Sequence, residues 1–136
     1  MNSLNMEKLC PGSLPLDLGR FPGFRFLINT RGYAAVREAP DAEVHGIIWQ
    51  VTREHEKKLD QYEGLELCRK EYLEVIRSEG GLKLSVLVYL SSDIQPGVPE
   101  KKYMESILLG ARSACKTGLP KEYLMELESW SPIVDG

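Results

Sequence analysis

The sequence predicts an α+β domain. Its apolar residues alternate in some stretches and recur at helical spacing in others. These stretches follow in the order helix, several strands, helix, hairpin, two helices. The length, 136 residues, suits one domain over 1–136 with room for a real core. The element order favours a mixed or largely antiparallel sheet over a doubly wound parallel one.

"SLNMEKLC" reads as a short opening helix, with Ser3 as cap, Leu4, Glu7 and Lys8 following, and "CPG" as its stop. "PLDLGRFPGFRFLINT" reads as a strand after an irregular lead-in, because it is rich in aromatic and β-branched residues. "YAAVREA" and "EVHGIIWQVT" read as two strands separated by the turn "PDA". Thr52 is a good N-cap for "REHEKKLDQYE", with Glu54 and Glu56 in the first turn and Gly64 as the stop. "EYLEVIRS" and "LKLSVLVYLS" form a hairpin through Gly80-Gly81. Pro99 opens the helix "PEKKYMESILLGARSACKT", "GLP" at 118–120 ends it, and "KEYLMELESW" is a last short helix.

Composition narrows the function classes. The net charge of −3 and pI near 5.5 give no basic footprint for nucleic acid or an anionic membrane. The longest apolar runs, such as "LSVLVYL", fall far short of a membrane span, and "MNSLNMEKLC" does not read as a signal peptide. Cys10, Cys68 and Cys115 lie far apart without CxxC pairing, which predicts reduced thiols in a cytoplasmic protein. His45 and His55 lack metal-ligand spacing and read as structural or surface residues. No GxSxG, GxGxxG or P-loop is present.

The carboxylates are more informative. Glu54, Glu56 and Asp60 read as the solvated face of their helix. Glu63 follows Leu59 by four and adjoins Tyr62, which puts it on the side facing the sheet. A carboxylate partly buried there has its charged form destabilised, which suits a general base or acid near neutral pH. The plainer alternative is a helix-end glutamate pointing to water. Tyr72, Tyr89 and Tyr103 are candidate pocket residues, each with the alternative of a half-buried core tyrosine.

Taken in order, "CPG…GRFPGFRF", "GYAAVREAPDAEVHGIIWQVT", "LDQYEG" with Tyr72 after it, and "VYL…P…YMESILLGARSACKTGLPKEYLMEL" resemble the γ-glutamylcyclotransferase-like (AIG2-like) family along most of the chain. The resemblance implies a small mixed-sheet β-barrel with surrounding helices. It implies release of an amino acid or amine from a small-molecule γ-glutamyl compound by intramolecular cyclisation to 5-oxoproline, with no metal or organic cofactor. It makes Glu63 the proton acceptor and Tyr103 a substrate-binding residue, with Tyr72 and Tyr89 as further pocket candidates. The alternatives are a γ-glutamylamine cyclotransferase and a non-catalytic γ-glutamyl-binding module on the same scaffold. The oligomeric state stays open, a homodimer included.

In one respect the chain departs from the family pattern. The family opens with a strand and a Gly-Ser-Asn-like turn that holds the glutamyl part, and here Met1-Asn2-Ser3 stands where that turn should already have ended. The expectation is therefore a domain lacking its first strand and half its site, poorly stable and inactive or nearly so. An in-frame match in the coding DNA upstream of Met1 would settle the truncation.

Overall fold

The structure, a computed structural model, describes residue 6 and residues 8–131. The predicted opening helix falls partly outside the described residues. Within them Met6, Lys8 and Leu9 are helical, and the Cys10 N–H donates to the Met6 carbonyl at 2.7 Å. The elements are β1 (Leu14–Ile28), β2 (Ala34–Gln50), α1 (Arg53–Glu63), β3 (Cys68–Arg77), β4 (Lys83–Ser91), α2 (Lys101–Cys115) and α3 (Lys121–Glu128).

The four strands form one sheet in the order β2-β1-β3-β4, and every pairing is antiparallel. The expected mixed, closed barrel is corrected on both counts. Two long hairpins, β1–β2 and β3–β4, are joined in the sheet by only two ladder pairs, Gly19↔Arg77 and Arg20↔Ile76. So short a ladder lets the hairpins splay, and among the described residues β2 and β4 share no ladder that would close the sheet.

A second correction concerns β2. The segment "PDA" does not separate two strands, and 34–50 runs as one. The chain absorbs Pro40 as an irregularity, with the register passing from Pro22↔Glu43 directly to Phe24↔Glu38. The proline thus sits in a bulge, where its missing N–H leaves no gap in the ladder.

The core lies between the β1–β2 hairpin and the last two helices. Met104, Leu108, Ala111 and Ala114 recur at helical spacing along α2, Tyr123 and Leu127 along α3, and all meet Leu18, Phe26, Ile28 and Val44 of the hairpin. Ile28 and Met104 are among the least exposed residues, and Trp130 closes the edge with its ring 6.5 Å from Phe26. No helix among the described residues is long and apolar enough to cross a membrane.

Helix α1 packs on the other hairpin. Its start is closed by a capping box: the Thr52 hydroxyl accepts from the His55 N–H at 3.2 Å, and the Thr52 N–H donates to His55 Nδ1 at 3.1 Å. With Nδ1 accepting, Nε2 carries the proton and donates to the Pro11 carbonyl at 2.7 Å. His55 is thus a buried tether between α1 and the segment that leads into β1. His45 is structural too, with its ring 4.8 Å from that of Tyr123 and Nε2 3.0 Å from a Glu43 oxygen. Cys10 is buried beside the same tether, its thiol 3.7 Å from the His55 carbonyl, and none of the three cysteines is in a disulfide.

Candidate functional site

The end of α1 is set by Gly64, which adopts φ 76 and returns its N–H to the Asp60 carbonyl at 3.0 Å. A left-handed residue there costs a side chain strain that glycine avoids. The tight turn after it is held by the N–H groups of Leu67 and Cys68 on the Gly64 carbonyl, at 2.9 and 3.0 Å. The Cys68 thiol then reaches the Glu63 carbonyl at 3.6 Å. Together these contacts fix the backbone that carries Glu63.

The helix face was only partly legible. Glu56, Leu59, Asp60 and Glu63 follow at helical spacing and face the sheet, so Glu56 and Asp60 are not on a solvated face. Lys70 donates to Glu56 at 2.5 Å and to Asp60 at 3.2 Å. Tyr89, the cross-strand partner of Lys70, donates its hydroxyl to Asp60 at 2.5 Å. Tyr62 points outward and is 57% exposed, so it does not anchor the helix end as its spacing suggests.

Glu63 differs from both neighbours. It is half-buried, and among the described residues no hydrogen bond or ion pair reaches its carboxylate. Burial pushes its pKa above the ordinary carboxylate range. Its charge is felt at Tyr62, Cys68, Tyr89 and Tyr103, raising the pKa of each.

Tyr103 lies on α2. Its hydroxyl oxygen accepts from the Ala34 N–H at 2.9 Å, which leaves its own hydrogen free to be donated. Burial holds its pKa above that of a free phenol, so it stays a neutral donor. Its ring meets that of Tyr33 edge-on at 5.4 Å.

The structure therefore brings Tyr103 and Tyr89 to the Glu63 neighbourhood, with the Tyr89 hydroxyl committed to Asp60. Tyr72 stays on the surface of β3, 70% exposed, away from the group around Glu63.

The β1–β2 turn, which reading the sequence did not single out, meets this group through the Tyr33 ring on Tyr103. Asn29 is 1% exposed, and its side-chain oxygen accepts from the N–H groups of Arg31 and Tyr33, each at 3.1 Å. Its amide donates to the Ser91 hydroxyl at 3.4 Å, pinning the turn to the end of β4. The 92–98 segment packs so closely that a Cβ on Gly97 would lie 2.1 Å from the Asn29 carbonyl oxygen. The readable signal was the polar run Asn29-Thr30-Arg31-Gly32 between two apolar strands.

Two clefts, of about 280 and 380 Å³, lie elsewhere. The smaller is lined by Arg20, His45, Arg77, Gly118 and Pro120 among others, and the larger by Arg25, Glu43, His45 and Glu126 among others; Glu63 lines neither. Among the described residues no group of three His, Cys, Asp or Glu side chains is placed to hold a metal ion. The arrangement offers proton transfer at Glu63 and a neutral hydroxyl donor at Tyr103.

Comparisons with known proteins bear on the family and the fold. Proteins named gamma-glutamylcyclotransferase from Mus musculus and Homo sapiens are each 27% identical to this chain over 118 residues, covering 86% of it. The chain spans about three fifths of the length of these curated relatives, 61% in each case. A solved structure titled gamma-glutamyl cyclotransferase superposes with a TM-score of 0.84 at 22% identity, over 99% of this chain and 85% of that one. YkqA from Bacillus subtilis gives 0.71 at 16% identity, over 93% of this chain and 46% of its own. At such identities these two likenesses speak for the fold. The model of the AIG2-like family matches residues 43–127, well over half of the chain and inclusive of Glu63 and Tyr103, and the chain belongs to that γ-glutamylcyclotransferase-like family.

Proposed function

We propose that this chain is a γ-glutamyl cyclotransferase that works without a cofactor, with Glu63 as its proton acceptor. The observation that carries the reading is the half-buried carboxylate of Glu63, which meets no hydrogen-bond or ion-pair partner among the described residues and lies near the Tyr103 phenol. The reaction asks little more of a protein. The substrate holds its nucleophile, the α-amine, on the same chain as the γ-carbonyl it attacks, so proximity is built in. What remains is to remove a proton from the α-ammonium and to steady the oxygen as it becomes negative.

Glu63 takes one proton from the α-ammonium, and the freed amine attacks the γ-carbon to give a five-membered tetrahedral adduct with a negative oxygen. Glu63 returns that proton to the departing nitrogen, whose bond to the γ-carbon breaks as the carbonyl re-forms; Glu63 then takes the second proton from the ring nitrogen, leaving the lactam, and that proton ends on the released amine, which departs as an ammonium. Tyr103, its oxygen anchored by Ala34, donates its hydrogen to the carbonyl oxygen through these steps. A base of raised pKa suits both transfers, accepting from an ammonium and returning the proton to an amine.

The experiment is 5-oxoproline release from γ-glutamyl-alanine by the chain, alongside calorimetric binding of the same compound. Release that disappears in Glu63→Gln but survives in the exposed control Glu66→Gln supports the reading. It would also remove the expectation that this form is inactive. Turnover that survives Glu63→Gln overturns the base assignment. Binding without any release favours the non-catalytic module.

A further inference from the structure

Six large apolar side chains that the fold leaves exposed gather at the Glu63 end of the molecule. Tyr62, Leu65 and Leu67 frame the turn after α1, Tyr33 follows the β1–β2 turn, and Ile94 and Val98 lie on the segment after β4. These three segments are tied together. The Ser92 N–H and hydroxyl donate to the Leu67 carbonyl at 2.9 and 3.0 Å. The Gly97 N–H donates to the Ile28 carbonyl at 2.8 Å, and a Cβ on Gly32 would lie 3.1 Å from the Val98 carbonyl oxygen. Single exposed apolar residues are ordinary, but several on adjoining segments mark a binding surface.

Tyr33 and Tyr62 stand nearest the chemistry. The Tyr33 ring meets that of Tyr103 edge-on at 5.4 Å, and Tyr62 adjoins Glu63 in the chain. Beyond burial, the main cause in each, Glu63 and Tyr33 raise the pKa of both Tyr62 and Tyr103, so the four side chains share one neighbourhood. Each of the two outer residues, Tyr33 and Tyr62, is 57% exposed. An aromatic wall beside a few polar groups is how small-molecule sites are commonly built.

We infer that Tyr33 and Tyr62 receive the side chain of the leaving half of the substrate, so that γ-glutamyl compounds with an aromatic or large apolar leaving group are preferred over those with a small one. This rests on the cyclotransferase reading. The glutamyl half carries an α-carboxylate and an α-ammonium, and an apolar wall offers those charges nothing. The side chain of the leaving half carries no such demand. When it is apolar, it and the two rings leave water together. Leu67 and Val98 extend the same wall.

The test compares γ-glutamyl-phenylalanine with γ-glutamyl-alanine, which differ only by a phenyl ring. The unaltered chain should prefer the phenylalanine compound in kcat/KM by about tenfold to a hundredfold, the worth of burying an aromatic side chain. Tyr33→Ala and Tyr62→Ala should each bring the ratio several-fold closer to one, while Tyr33→Phe, which keeps the ring, retains it. Tyr72→Ala, on the surface of β3, should leave the ratio alone. A ratio near one in the unaltered chain overturns the inference. So does a ratio unchanged by both alanine variants, or an equal loss on both substrates. Alanine variants that change the oligomeric state in sedimentation and leave the ratio fixed would make this surface an interface between copies, which also overturns it.

Calorimetric binding of both compounds to Glu63→Gln reads the same ratio without turnover. Preference in binding without turnover in the unaltered chain keeps the tyrosine assignment and defeats the enzyme reading. Turnover of both without preference does the reverse, and no binding of either compound overturns both.

Discussion

Asp60 and Glu63 stand three residues apart on one helix face, yet the molecule treats them oppositely. Asp60 accepts from Tyr89 and from Lys70, and these bonds, that from Tyr89 foremost, hold its pKa below the ordinary carboxylate range. Lys70, held in turn chiefly by Glu56, has its pKa pushed up, so the cluster stays ionised. One turn further on, Glu63 is more deeply desolvated and, among the described residues, meets no such donors, and its pKa rises. Burial alone does not make a base. Burial with the hydrogen-bond donors withheld does, because the charged form then loses its water and gains nothing in return. Of the two carboxylates, the one clamped by donors fixes the helix, and the other is left able to move a proton.

The contrast can be broken from either side. The largest effect is expected at Glu63, where Gln keeps the shape and removes the base: kcat for 5-oxoproline release should fall by at least about a hundredfold. Next is Asn29→Ala, which strips the β1–β2 turn of a buried side chain satisfying two backbone N–H groups. Chemical denaturation should show a loss of about 3 kcal/mol. As water enters, the acid limb of the pH–rate profile should move to lower pH, because Glu63 is then less desolvated.

Lys70→Met makes Asp60 resemble Glu63. Carboxyl chemical shifts followed by NMR should show the Asp60 pKa rising, together with a fall in Tm smaller than that of Asn29→Ala. The pH dependence of stability should change with it. A carboxylate whose folded pKa is depressed contributes stability above its unfolded value and loses it as pH falls through the folded value. That acid-side loss should shrink in the variant.

The smallest effect is the stability cost of Glu63 itself, with the opposite sign. Its folded pKa is raised, so the folded state holds the proton more tightly and stability falls as pH rises from the unfolded pKa to the folded one. Glu63→Gln should therefore melt above the unaltered chain at neutral pH, and the two should converge at pH values below the unfolded carboxyl pKa. Convergence absent, or a Gln variant that melts lower at pH 7, would contradict a desolvated, unpartnered carboxylate.

Much of α1 was legible beforehand. Thr52 and Gly64 mark its ends, and the spacing of Leu59 and Glu63 puts Glu63 on the sheet side. The cap was readable but its partner was not, since His55 stands where a Glu or Gln is usual. Asp60 and Glu56 were read as solvated because pattern treats a charged residue as exposed until a partner is known. Those partners, Lys70 and Tyr89, lie on strands beyond the helix. The aromatic ring of Tyr62 read as apolar anchoring, whereas Tyr62 turns outward. Tyr72 and Tyr89 were read as two members of one set. Tyr89 is held beside α1 by its hydroxyl bond to Asp60, while Tyr72 remains on the surface.

From sequence alone come the order of helices and strands apart from the unbroken β2, the start and stop of the helix that carries Glu63, and the side of that helix Glu63 occupies. These are local matters, settled within a turn or two by caps, glycines and apolar spacing. Long-range packing alone fixes that the hairpins pair through two residue pairs without closing a barrel, and that Asp60 meets Lys70 and Tyr89 while, among the described residues, no donor meets Glu63. Each of those depends on how segments distant in the chain come to lie together, as with Gly19 and Arg77, paired across the hairpins. A pattern of side chains along one segment does not encode which residue of another segment will lie opposite it.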